Sequence, residues 1–161
     1  MSRAAELQHR LIDLNVSLVP GPPFGDAVIN SQDLGEIARY PADRVSASIR
    51  GWPGMRELSR SSDPWKWKWR WEESGRAIRV DFTLFDDGQR SWGGSDLSGH
   101  CRVSDVMSFW RHLLQDLPHI WLHDANCWMY TPDLFVSAFD SGAKGRSRGS
   151  AVQEMLLEDQ C

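Results

Sequence analysis

Residues 65–72 read Trp65-Lys66-Trp67-Lys68-Trp69-Arg70-Trp71-Glu72. Side chains alternate between the two faces of a β-strand, so this spacing places the four indoles on one face and the charged groups on the other. Two uses fit such a strand. The indoles form either the floor of a buried core or an exposed surface on which nucleic-acid bases stack between basic flanks.

The segment that follows, residues 76–85, favours the buried core. It also alternates, and Ser74-Gly75 has the length and the glycine of a two-residue hairpin turn. Such a turn fixes the pairs as Glu73–Arg76, Trp71–Ile78, Trp69–Val80, Trp67–Phe82, Trp65–Leu84 and, on the other face, Lys68–Asp81. Every indole then meets an apolar partner. Arg70 falls opposite Arg79, a like-charge pair that suits a solvated surface or an anion site.

Size and cysteine content place the chain among ordinary globular proteins. Its 161 residues suffice for one domain with a real core. The three cysteines, an odd number without CxxC spacing, favour a reducing compartment, and a cytoplasmic location is expected. Neither a signal peptide nor an apolar run of the roughly 18 residues that cross a membrane is found, so no membrane association is expected.

Periodicity, caps and turns predict the remaining elements. Helices are predicted at 4–14, at 31–40, at 104–117 with Ser104 as N-cap, and at 131–140, opened by Thr131-Pro132-Asp133. Strands are predicted at 44–49, within 90–102 with a bulge at Gly93-Gly94, at 119–124 and at 127–130.

Strands followed by helices, without regular βαβ alternation, indicate an α+β fold. We predict an antiparallel β-meander built around the Trp-rich hairpin (65–85), with helices packed on one face and the 104–117 helix covering the indoles. A single α+β domain is assigned to 1–140. Residues 141–149 are small and basic, which predicts a flexible linker, and 150–161 predict a C-terminal helical tail.

Charge is distributed unevenly along the chain, whose net charge is −4. Residues 44–79 carry nine basic and four acidic side chains, whereas 80–140 carry three and nine. The acidic block favours a basic partner, because opposite charges steer association.

Motifs for catalysis are weak. No GxGxxG, GxxxxGK[ST] or GxSxG motif occurs. His123, Asp124 and Cys127 lie close in sequence and leave a small Cys/His enzyme as one hypothesis. His119 and His123 stand about 13–14 Å apart on an extended strand, which disfavours a shared metal ion, and no cofactor is expected.

The first functional hypothesis is a non-enzymatic protein-binding module, an immunity or inhibitor-type protein that neutralises a basic protein partner through an acidic surface. Its predicted partner-binding residues are Glu72, Asp86, Asp87, Trp92, Asp96, Asp124 and Trp128. The alternative is a single-stranded nucleic-acid-binding protein that uses the basic face of the Trp strand, with Lys66, Lys68, Arg70 and Arg79. The hairpin edge and the terminal helix are both compatible with a homo-oligomer.

Overall fold

The structure is a computed structural model and describes residues 3–34, 40–58, 66–83 and 95–140. Within these ranges the α-helices are α1 (Arg3–His9), α2 (Ala42–Arg50), α3 (Val103–Leu114) and α4 (Pro132–Asp140), with a 3₁₀ turn at Ser31–Asp33. The strands are β1 (Leu11–Pro20), β2 (Ile29–Asn30), β3 (Arg56–Glu57), β4 (Lys66–Glu73), β5 (Arg76–Thr83), β6 (Ser95–Arg102), β7 (Ile120–His123) and β8 (Trp128–Tyr130).

These strands form one antiparallel sheet in the order β2-β8-β7-β1-β6-β5-β4-β3. Strands β3 to β6 are neighbours in chain order, which makes the predicted meander. Strand β1 comes from the N-terminal end and pairs with β6 on one side and β7 on the other. The predicted α+β class and antiparallel meander are confirmed.

The Trp hairpin has the predicted register. Its paired residues include Trp71 with Ile78, Trp69 with Val80 and Trp67 with Phe82. Ser74 and Gly75 both have positive φ angles, of 50° and 79°, as the tight turn that matches strand twist requires. The predicted Trp65–Leu84 pair lies outside the described residues.

The indole face of the hairpin is covered by helices. Trp69 is 1% exposed and Trp71 is 7% exposed. Trp52, which follows α2, lies with its ring centroid 5.0 Å from that of Trp71 and 4.9 Å from that of Phe109 on α3. Burial of these large rings contributes much apolar area to the core. The buried-core interpretation is therefore correct, and the described indoles Trp69 and Trp71 offer no stacking surface.

Two predicted elements differ from the structure. Residues 44–49 are helical within α2, because Val45, Ser48 and Ile49 are buried at helical spacing while Ala47 is exposed. The predicted 4–14 helix ends at His9. From Leu11 onward the chain is the strand β1, whose even-numbered side chains from Ile12 to Leu18 are buried.

Smaller corrections concern helix starts. Ser104 is not the N-cap of α3; Arg102 holds that position, and its backbone N–H donates to the Asp105 carboxylate at 2.8 Å. At Ser31 the described chain forms a 3₁₀ turn that ends at Asp33, and 35–39 lie outside the described residues. Thr131 caps α4 as predicted, with its Oγ1 accepting from the N–H of Leu134 at 3.3 Å. The predicted bulge at Gly93-Gly94 and the predicted linker and tail over 141–161 also lie outside the described residues.

Among the described helices, none is long and apolar enough to cross a membrane.

Candidate functional site

The four helices contact one another in one layer on the indole side of the sheet. The opposite side of the central strands presents polar and charged side chains, which we call the open face. Its members on β1 and β3 to β6 include Asp13, Ser17, Arg56, Lys66, Lys68, Arg70, Glu72, Arg79, Asp81, Asp96, Ser98 and His100.

A loop covers the same side of the sheet at its β7–β8 end. Trp121 is 1% exposed although its register places it on the open side. Its Nε1–H donates to the Pro22 carbonyl at 2.8 Å, and the Phe24 ring meets it edge-on at 5.1 Å. Phe24 itself remains 37% exposed. The open face is therefore confined to the central and β3-side strands.

Three arginines lie directly opposite one another on neighbouring strands of the open face. Arg56 on β3 pairs with Arg70 on β4, and Arg70 pairs with Arg79 on β5. We call these three residues the arginine row. Their side chains are 65%, 42% and 41% exposed, respectively. Like charges at directly opposed positions destabilise a sheet, so the row opposes folding unless other groups compensate.

Two carboxylates provide that compensation. Glu72 pairs with Arg70 and, at 3.6 Å, with Arg56. Asp81 pairs with Arg79 at 3.2 Å and with Lys68 at 3.9 Å. Four cations thus share two carboxylates in these ion pairs, which leaves this part of the open face positive.

A second like-charge pair lies beside the arginine row. Asp81 on β5 is directly opposite Asp96 on β6. Asp96 accepts a hydrogen bond from Ser17 Oγ at 2.7 Å, and Asp13 on β1 lies 2.8 Å from Nδ1 of His100. Asp81 and Asp96 form what we call the acidic patch, and Asp13 lies four residues from Ser17 along β1. The open face therefore has a basic half toward β3 and an acidic half toward β1.

The predicted partner-binding residues separate into distinct environments. Glu72 and Asp96 both lie on the open face, although Glu72 is engaged by two arginines. Trp128 is partly buried and packs against the main core from β8. Asp86, Asp87 and Trp92 lie outside the described residues.

Asp124 was expected to be an exposed acid, and this expectation is wrong, since the residue is 1% exposed. Its carboxylate accepts from the backbone N–H groups of Asn126 and Trp128 at 2.8 and 2.9 Å. It also accepts from the Tyr130 hydroxyl at 3.2 Å. Burial raises the pKa of Asp124, against the opposing effect of these bonds. Asp124 organises the turn between β7 and β8.

The residues of the nucleic-acid alternative share a face as expected. Lys66, Lys68, Arg70 and Arg79 all lie on the open face. Lys68, Arg70 and Arg79 are engaged by Glu72 or Asp81. The indoles of Trp69 and Trp71 lie on the other side of the sheet, so they cannot stack on bases bound to these cations.

The residues of the enzyme alternative do not assemble a nucleophilic triad. His123 Nε2 lies 3.0 Å from Ser31 Oγ, and burial lowers the pKa of His123. The Asp124 carboxylate accepts hydrogen bonds from backbone N–H groups of the turn. Cys127 has a φ of 67°, and its Sγ lies 4.0 Å from Gln32 Nε2. The described residues contain no group of three side chains able to hold a metal ion.

Arg56, Asp13 and Asp81 lie on the open face but are not among the residues predicted to bind. Arg56 belongs to a strand of two residues, which is too short to show periodicity. Asp13 lies in the segment predicted to be helical. Asp81 was assigned only as the partner of Lys68, because its second neighbour, Asp96, depends on the β5–β6 register.

The open face, as far as its residues are described, therefore carries a basic half and an acidic half. No family model, no curated protein and no solved structure matches this chain.

Proposed function

We propose that this chain is a non-enzymatic protein-binding module of the immunity or inhibitor type, which binds a basic protein through the acidic patch of its open face. The observation that carries the proposal is the direct opposition of Asp81 and Asp96 on the two strands β5 and β6. Asp96 and Glu72, two acids expected to bind the partner, lie on this face.

The Asp81–Asp96 opposition has a cost in the free protein, which the ion pairs of Asp81 with Arg79 and Lys68 partly offset. Directly opposed like charges destabilise a strand pair, by an amount comparable to the roughly 0.2–1 kcal/mol that opposite charges contribute. A lysine or arginine of a partner placed between the two carboxylates would remove the repulsion and form charge-assisted hydrogen bonds with both. A basic group at this position is therefore favoured over an acidic one, which would add to the repulsion.

The setting of the acidic patch suits recognition of a folded protein. Its carboxylates project from the paired strands β5 and β6, so their positions are set before binding. Long-range attraction by the acidic half would accelerate encounter with a basic partner, and that acceleration would fall with ionic strength. Fast association with a preformed surface is what an inhibitor of a basic protein requires.

The test is affinity capture by the tagged full chain from lysate of its own organism, with nuclease-treated samples in parallel. Wild type is compared with Asp81→Asn/Asp96→Asn and with the control Asp133→Asn, which removes an exposed acid on α4 in the helix layer. Circular dichroism checks that each variant is folded. We expect wild type to capture one basic protein in stoichiometric amount, and nuclease treatment should not release it. The control should retain this protein, and the double variant should lose it.

The captured protein is then assayed with and without the chain, and the inhibitor assignment requires that its activity falls. Equal retention by wild type and the double variant would overturn the role of the acidic patch. Retention of nucleic acid alone, sensitive to nuclease, would replace the proposal with the nucleic-acid alternative.

A further inference from the structure

We infer that the arginine row is a second binding site on the open face, and that it recognises a compact oxyanion of the phosphate monoester or diphosphate class. The inference rests on the opposition of Arg56, Arg70 and Arg79 across β3, β4 and β5, together with the charge left over in their ion pairs. It does not rest on the proposed protein partner, although Asp81 takes part in both sites.

The geometry suits a small anion with several oxygens. Neighbouring strands are about 4.8 Å apart, so the three arginine positions span roughly 10 Å. Each guanidinium offers five N–H donors in a planar fork, which matches the spacing of phosphate oxygens. A phosphate group above Arg70 would lie within reach of the guanidinium groups on both neighbouring strands.

The charge balance leaves this site unsaturated. Arg56 and Arg70 share the carboxylate of Glu72, while Arg79 and Lys68 share that of Asp81. An added dianion would offset the excess positive charge and relieve the repulsion between the opposed arginines. The side chains are about half exposed, so they can turn toward a ligand without opening the sheet.

The surroundings favour a compact ligand over a nucleic-acid strand. Asp81 and its opposed partner Asp96 lie one same-face position along their strands from the arginine row, at about 7 Å. A phosphodiester backbone that continued across the open face would meet these carboxylates and be repelled. A single phosphate or diphosphate group avoids them.

The experiment is calorimetric titration of the full chain with pyrophosphate, inorganic phosphate and sulfate at fixed ionic strength, beside a single-stranded oligonucleotide. We expect saturable binding of pyrophosphate, and weaker binding of phosphate and of sulfate, because each carries less charge than pyrophosphate. Arg79→Gln should weaken pyrophosphate binding by about tenfold, because it removes a charge-assisted donor pair. Arg70→Lys keeps the charge but loses the fork, and should weaken binding several-fold.

Asp81→Asn should change pyrophosphate affinity in the opposite direction. It removes the carboxylate that pairs with Lys68 and Arg79, so pyrophosphate should bind more tightly. The same substitution should weaken a basic protein partner, so failure of one proposal is distinguishable from failure of the other. The control is Arg111→Gln, an exposed arginine on α3, which should leave binding unchanged. Absence of saturation with pyrophosphate, equal loss in the control, or tighter binding of the oligonucleotide than of pyrophosphate would overturn the inference.

Discussion

Arg76 and Asp105 form the ion pair that ties the Trp hairpin to helix α3. Arg76 Nε lies 2.8 Å from Asp105 Oδ2, and the two side chains are 15% and 11% exposed. The same carboxylate oxygen accepts from the backbone N–H of Arg102 at the start of α3. One carboxylate therefore both caps the helix and fixes it to the strand β5.

Replacing this carboxylate should destabilise the fold. Asp105→Ala removes the cap and the ion pair together, and loss of the cap alone should lower the free energy of unfolding by about 1 kcal/mol. Urea denaturation provides the measurement. The matched control is Ser104→Ala, which removes a neighbouring side chain that does not cap α3 and should change stability little. Equal losses in the two variants would contradict this account of the helix start.

The tryptophans of β4 should contribute unequally to stability. Trp69 is 1% exposed in the core, whereas Trp67 is only partly buried, beside the Phe82 ring. Trp69→Ala should cost about 3–5 kcal/mol of unfolding free energy, the range for a large buried aromatic, and Trp67→Ala clearly less. Denaturant titration of both variants tests the order. A larger loss of unfolding free energy for Trp67→Ala than for Trp69→Ala would contradict the deeper burial of Trp69.

Asp124 should make stability depend on pH in a defined direction. Burial raises its pKa above the ordinary value of 3.8, so the folded chain holds this proton more tightly than the unfolded chain. The contribution of Asp124 to stability therefore falls as pH rises from 3.8 through its raised pKa. Asp124→Asn lacks this titration, and its amide oxygen still accepts from the turn.

The measurement is urea unfolding of wild type and Asp124→Asn across that pH interval. The stability of wild type minus that of the variant should decrease as pH rises. A difference that stays constant would show that the hydrogen bonds to Asn126, Trp128 and Tyr130 balance the cost of burial, and one that increases would show that they outweigh it; either result would contradict the raised pKa.

The two described cysteines should react differently with thiol reagents. Cys101 is fully buried, and burial raises its pKa to about 12, so it should stay unreactive near neutral pH until the chain unfolds. Cys127 is partly exposed and should react in the folded chain. Labelling of wild type, Cys101→Ser and Cys127→Ser identifies each thiol. Labelling of Cys101 as fast as Cys127 would contradict the packing, and a rate at Cys127 far above that of free cysteine would support the enzyme alternative.

Gly99 on β6 should not accept a side chain. Its φ is 135°, and a Cβ atom there would overlap the Ala77 carbonyl on β5. Gly99→Ala should cost about 1–3 kcal/mol from backbone strain alone. Gly25→Ala is the control, because a Cβ there meets nothing within 4 Å. Thermal unfolding of both variants is the measurement. A Gly99→Ala variant as stable as wild type would contradict the backbone geometry described for Gly99.

The spacing of apolar residues predicted an element correctly where only one periodicity, helical or strand-like, fitted the segment. The Trp hairpin followed from alternation and its turn, and the helix α3 followed from a long apolar stripe. The helix prediction over 4–14 failed because Leu7, Leu11 and Leu14 fit helical spacing, while the stronger alternation from Ile12 onward indicates a strand. The position of β1 between β6 and β7 depends on long-range pairing, which periodicity does not encode.

The site was predictable to the same extent. Strand alternation placed Lys68, Arg70 and Glu72 on one face, and the hairpin register gave the Arg70–Arg79 opposition. Arg56 joins them only through a two-residue strand. Asp124 was predicted to be exposed because a short polar residue after a strand is typical of an exposed turn. The structure shows instead that its carboxylate is buried and accepts hydrogen bonds within the turn.

The central position of β1 also imposes an order on assembly. Ser17 of β1 and Asp96 of β6, whose side chains form a hydrogen bond, are 79 positions apart in the sequence. Strand β7 follows β6 and is synthesised later still. The meander from β3 to β6 is built from pairings between strands that are close in sequence, whereas both neighbours of β1 are synthesised much later than β1 itself. Its apolar side chains stay unpaired during that interval, and docking of this early strand between two late ones should be the slow step that closes the sheet.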